Sequence, residues 1–158
     1  MRRAQLFSQP FMLVFALLVG ASVLIWGAYQ VVQLSQYATH VQLVDATNSF
    51  RNEVQKYFYL DEGSTKLYPV RFPGDITYLC VSDKTTPVFT PNIPPAELTK
   101  NFIQARPENV FVLPHDAYPT TFFQVDHAKP ASHNPLCVRN GQQLKLVSKG
   151  DYVEISLA

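Results

Sequence analysis

The chain has 158 residues, 13 Lys and Arg against 12 Asp and Glu, and a net charge of +1 at neutral pH. Near-neutrality supplies no field that would gather nucleic acid or a strongly acidic ligand, so neither partner is implied. Two cysteines and 47% hydrophobic residues exclude a cysteine-rich scaffold and a disordered chain alike.

No Asp, Glu, Lys or Arg occurs between Arg3 and Asp45, and Phe11–Tyr29 is nearly unbroken hydrocarbon. As a helix this run spans roughly 28 Å, the thickness of a bilayer's apolar core. Its ten Leu, Ile, Phe and Val residues favour insertion by roughly 3–6 kcal/mol. A cleavable secretory signal is the alternative, because Val19-Gly20-Ala21 has the small-residue look of a cleavage site. Val23-Leu24-Ile25-Trp26 carry the apolar run past that point, which favours a retained transmembrane helix over 10–33. Arg2 and Arg3 precede the helix, so positive charge places residues 1–9 in the cytoplasm and residues 63–158 outside. Membrane lipid is the first expected partner.

Pro10 suits the first turn of a helix, and the next Pro is Pro69. One helix of about 50 residues is therefore expected, ending near Asp61-Glu62-Gly63-Ser64. Its portion over 34–62 reads as amphipathic, with Leu34, Tyr37, Val41 and Val44 and then Phe50, Val54, Tyr57 and Phe58 on apolar faces. Ala16, Gly20 and Gly27 place small residues on a similar face, where a second helix could approach closely in lipid. Gln30, Gln33, Gln36 and Gln42 offer uncharged amides that either bond between packed helices or mark the membrane–water boundary.

Beyond Ser64 the period changes from 3.6 to 2. Strands are expected over Lys66–Phe72, Ile76–Val81, Asn109–Leu113 and Thr121–Val125. Leu136–Arg139, Gln143–Val147 and Tyr152–Leu157 are expected to form a meander, with tight turns at Asn140-Gly141 and Lys149-Gly150-Asp151. Residues 85–107 read as loop, with a short helical turn within Pro95–Gln104. The fold class is α+β: a long helix, half apolar and half amphipathic, covering one face of a mainly antiparallel sheet. Cys80 and Cys137 lie in strand-like segments of the exterior domain, where thiols oxidise; they form either a disulfide or two buried thiols.

Catalytic patterns are sparse. His115-Asp116 and the trio Asp126, His127 and His133 lie in loops, and the i to i+6 spacing around Pro130 matches no metal-ligand geometry. No G-x-S-x-G, phosphate-binding Gly-rich loop, CxxC or HExxH occurs. Neither an enzyme nor a cofactor is indicated, and no small-molecule substrate is identified.

Arg2-Arg3-Ala4-Gln5 followed by a hydrophobic segment resembles the class III signal peptide of archaeal type IV pilins. The overall plan, a long N-terminal helix and a β-rich head, is similar to pilins and pseudopilins as well as to membrane-anchored archaeal proteins of the same layout. The resemblance implies cleavage between Ala4 and Gln5, with the apolar helices then forming the core of a filament or membrane assembly. Gln9 stands where many of these pilins carry Glu, and Pro10 follows it directly. A permanently anchored, bitopic accessory protein with an exterior binding domain is the alternative function.

Overall fold

The structure is a computed structural model that describes residues 8–85, 89–92, 98–115, 118 and 121–158. Its elements are α1 (Ser8–Phe58), β1 (Thr65–Pro69), β2 (Tyr78–Val81), α2 (Lys100–Gln104), β3 (Val110–Leu113), β4 (Phe122–Phe123), β5 (Ala128–Pro130), β6 (Leu136–Arg139), β7 (Gln143–Ser148) and β8 (Val153–Leu157). The chain divides into two compact units, Met1–Thr39 and His40–Ala158. The described portion of the first is helix throughout. The second combines the remainder of α1 with two four-stranded sheets, ordered β1-β7-β8-β5 and β4-β3-β2-β6, in which only the β5–β8 pair is parallel. The class is α+β.

Alternation along the second sheet explains the layering of the head. Leu79 and Val81, Val110 and Val112, Phe123, and Leu136 and Val138 enter the main core together with Leu144, Leu146, Val153 and Ile155 of the first sheet. The residues between them, Cys80, Phe111, Leu113 and Cys137, point to the other face and form a smaller cluster with Leu98 and Ile103 at α2. Successive side chains on a strand leave by opposite faces, so this sheet is apolar on both. The first sheet keeps one wet face, carrying Gln143 and Lys145.

Helix α1 closes one side of this sandwich. Leu43, Phe50 and Val54 are fully buried in the main core. The Phe50 ring stands edge-on to Tyr68 of β1 at 5.5 Å and to Phe123 of β4 at 6.4 Å, so it wedges between the outermost strands of the two sheets. Polar straps flank it: Lys66 pairs with Glu53, and Arg51 donates from Nε to the Gln124 carbonyl at 3.1 Å. The carboxylate of Glu53 holds the Lys66 ammonium charged above its usual range.

Backbone ladders that the strands leave unfinished are completed by asparagine amides. Asn109 donates to the Val125 carbonyl and accepts from the Val125 N–H, both at 2.8 Å. Asn92 does the same for Cys137 at 2.7 Å, and Asn134 for Asp83. Asn140 accepts from the Phe72 N–H and donates to the carbonyls of Phe72 and Ile76. A primary amide offers the same donor and acceptor pair as a peptide group, so each acts as one rung of sheet.

Several expectations are corrected. Only the second half of the C-terminal meander forms: β7 and β8 pair antiparallel about the Lys149-Gly150-Asp151 turn as expected, whereas β6 pairs with β2 in the other sheet and β7 has β1 as its second neighbour. Asn140-Gly141 does make a tight turn, with the Gln142 N–H donating to the Arg139 carbonyl at 3.0 Å and Gly141 at φ +91, but it carries the chain from one sheet to the other instead of closing a hairpin. The helix faces two sheets and not one, and it stops at Phe58, earlier than expected, with Gly63 at φ +90 turning the chain into β1. Leu34, Tyr37, Val41 and Val44 are exposed, and the buried stripe is Leu43-Phe50-Val54, about 100° round the helix from Val44. Strands β1, β2, β3 and β4 are shorter than expected, and β5 is an addition to them.

Cys80 and Cys137 face each other in the β2–β6 register, with their sulfurs 2.08 Å apart, at disulfide distance. A crosslink over 57 residues stabilises the folded state by about 4 kcal/mol on the loop-entropy model. Reduction should therefore lower the denaturant midpoint of the head markedly; two alkylatable thiols in the untreated protein would contradict this. Asn109→Leu leaves the buried Val125 N–H and C=O without partners and should destabilise the head by about 2–5 kcal/mol, read by chemical denaturation.

Candidate functional site

The N-terminal unit presents a surface unlike anything on the head. From Phe11 to Tyr37 its large apolar side chains are open, Leu24 at 75%, Ile25 at 72% and Trp26 at 66% among them. The segment is long and apolar enough to cross a membrane, and its most apolar stretch is not buried. A helix is the form such a segment must take in lipid, since it satisfies every interior N–H and C=O within itself. Two of its polar side chains are satisfied locally. The Ser22 hydroxyl donates to the Leu18 carbonyl at 2.8 Å, and Gln33 Nε2 donates to the Tyr29 hydroxyl at 2.7 Å.

Gly20 and Gly27 have open space where a Cβ would stand, so nothing within the single chain requires glycine at either position. Ala16 and Gly20 are exposed and Gly27 half-exposed. Gln30 is partly covered, Gln33 and Gln42 are exposed, and the side chain of Gln36 lies outside the described residues, as do Ala4, Gln5 and Gln9.

The loop residues singled out in sequence have separate surroundings. The His115 ring lies 5.8 Å from Phe102 and 6.4 Å from Phe122, beside an Arg106 guanidinium held 4.1 Å from the Phe122 ring centroid and 4.8 Å from that of Phe102. Asp116 lies outside the described residues. The ring of His127 stacks on Phe58 at 3.6 Å and is nearly parallel to it. Among the described residues no three His, Cys, Asp or Glu side chains converge to hold a metal ion.

Two clefts open on either side of the Val125-Asp126-His127 segment. The smaller, about 210 Å³, is lined by Arg51, Gln55 and Tyr59 of α1 and the turn after it, and by Val125, Asp126 and His127. The larger, about 360 Å³, includes Asp83, Lys84, Asn109, Asp126, His127 and Lys129. His127 separates them with φ 63, a left-handed conformation that few residues other than glycine adopt. Its carbonyl accepts from the Val153 N–H at 2.7 Å, which with the Phe58 stack holds the turn in place. Burial pushes the Lys84 ammonium below its usual range despite the nearby Glu108. Arg51, Gln55 and Tyr59 are not marked by any sequence motif; Arg51 and Gln55 stand four apart on α1, and Tyr59 follows its last residue.

No protein-family model matches this chain, and neither a curated protein nor a solved structure shows significant similarity to it.

Leu18→Arg, near the middle of the apolar segment, adds about 3 kcal/mol to the cost of insertion. Fractionation of expressing cells should show the variant depleted from the membrane pellet relative to the unaltered chain.

Proposed function

We propose that this protein is a non-catalytic, exported subunit, similar to pilins and pseudopilins, that assembles through α1 into a surface filament or membrane assembly. In this reading the N-terminus begins in the cytoplasm, the leader is cut between Ala4 and Gln5, and the β-rich head lies outside. The observation that carries the reading is the extent of the open apolar surface. The 27 residues from Phe11 to Tyr37 amount to about 40 Å of helix, against a hydrocarbon core of about 30 Å. Trp26 and Tyr29 belong by chemistry at the membrane interface, which leaves Leu34 and Tyr37 beyond it and still 66% and 71% exposed. A neighbouring helix of the same kind would cover them.

The sheets support assembly by helix rather than by strand addition. The Phe50 ring lies against side chains of β1 and β4, and on the edge of β6 Asn92 occupies both the N–H and the carbonyl of Cys137. β5 has three residues, the last of them Pro130, which has no N–H to donate.

The mature N-terminus tests the proposal. Intact mass of the native protein should correspond to a chain starting at Gln5, and Ala4→Trp should leave the precursor uncut. An intact Met1 in the native protein would instead favour a permanently anchored accessory protein. Gly20→Leu, which meets no clash within one chain, should leave head stability unchanged and weaken self-association measured by crosslinking in membranes.

A further inference from the structure

Cleft lining is chemically mixed in a way that narrows the ligand. The smaller cleft carries one guanidinium, Arg51, and one carboxylate, Asp126; the larger carries Lys84 and Lys129 against Asp83 and Asp126. Fixed charge is thus balanced in each, and Asp126, common to both, opposes an anion in either. A cation would need a converging set of acidic or imidazole ligands, which the described residues do not form. An apolar ligand would find Val125 and the Tyr59 ring in the smaller cleft, but would have to cover Arg51, Gln55 and Asp126 beside them without bonding to any. What remains is a ligand that is uncharged and rich in groups that both donate and accept.

The side chains present suit such a ligand. Arg51 spends Nε on the Gln124 carbonyl and one terminal nitrogen on Asn48, and a guanidinium has further N–H donors beyond these. Gln55 and Tyr59 each donate and accept, and Asp126 accepts. Tyr59 is 75% exposed and offers an aromatic surface against which the C–H face of a sugar ring can lie. The walls are held in advance of any ligand. Asn109 pins both polar groups of Val125, and the His127 turn is fixed by Phe58 and Val153. At about 210 Å³ the smaller cleft falls below the roughly 300–1,000 Å³ of drug-sized sites and suits one ring. A left-handed turn at a residue other than glycine is strain kept in place by its surroundings, and such strain concentrates at ligand sites.

We propose that the clefts flanking Asp126–His127 bind a neutral saccharide, with one ring against Arg51, Gln55 and Tyr59 and the chain continuing past His127 into the larger cleft. The site lies wholly on the head and does not depend on how α1 assembles.

The test is an NMR titration of the full chain, isotope-labelled and held in a non-glycosidic detergent so that no sugar headgroup competes. Probes are glucose, N-acetylglucosamine and their β-linked disaccharides, with inorganic phosphate and glucosamine as charged comparisons. Saturable shifts at residues 124–129 and at the Gln55 side-chain amide are expected with neutral sugars in the millimolar range, tighter for disaccharides. Gln55→Leu and Asp126→Ala should each weaken binding roughly tenfold with the amide spectrum of the two sheets unchanged. No saturation by any neutral sugar at tens of millimolar would overturn the proposal. So would tighter binding of phosphate or glucosamine than of the neutral sugars, or undiminished binding by both variants.

Discussion

A helix satisfies its own backbone, and that property lets α1 run unbroken from Ser8 to Phe58 through side chains of two opposite kinds. Along its N-terminal half the exposed surface is largely hydrocarbon, long and apolar enough to cross a membrane. Toward its C-terminal end a single stripe, Leu43-Phe50-Val54, is a component of the core of the head. Strands could not do this, because their polar edges would have to be paired at every step. The head in turn depends on the helix: without Phe50, the outermost strands of the two sheets would expose their inner faces along one side.

Much of this was legible in the sequence because charge and periodicity are local signals. The gap between Arg3 and Asp45 marks the apolar segment, the alternation after Ser64 marks most strands, and Phe50 and Val54 appear on an apolar stripe. The α+β class follows from these alone. Two errors share one cause. Val44 and Leu43 are adjacent in sequence and equally apolar, so periodicity proposes a stripe but does not say which flank meets the head. Likewise Leu136–Arg139 and Gln143–Val147 look like a hairpin, yet Cys137 pairs with a residue 57 positions earlier. Strand β5 escapes a sequence reading because Ala128-Lys129-Pro130 has neither β-branched residues nor alternation, and its pairing comes from β8.

The candidate sites were less legible, for the same reason taken further. Asn92, Asn109, Asn134 and Asn140 look like ordinary turn residues in sequence, whereas three of them reach partners 45 to 68 positions away. Arg51 and Gln55 read only as polar positions away from the apolar face of the helix, and nothing in the sequence marks Tyr59. Only the fold shows that Asp126 and His127 stand opposite them. Gly20 and Gly27 present the reverse situation: sequence singles them out, and the single chain supplies no contact that explains them.

The order of pairing has a temporal consequence. Among the described residues β1 pairs only with β7, and β2 waits for β6 on one side, so neither sheet closes until the last quarter of the chain has been synthesised. Throughout that interval the nascent polypeptide carries both its greasy stem and half-built sheets with unsatisfied rims, the state most prone to clumping. A cell making this protein must shield the newborn chain or move it onward before Leu136–Leu157 arrives to complete the fold.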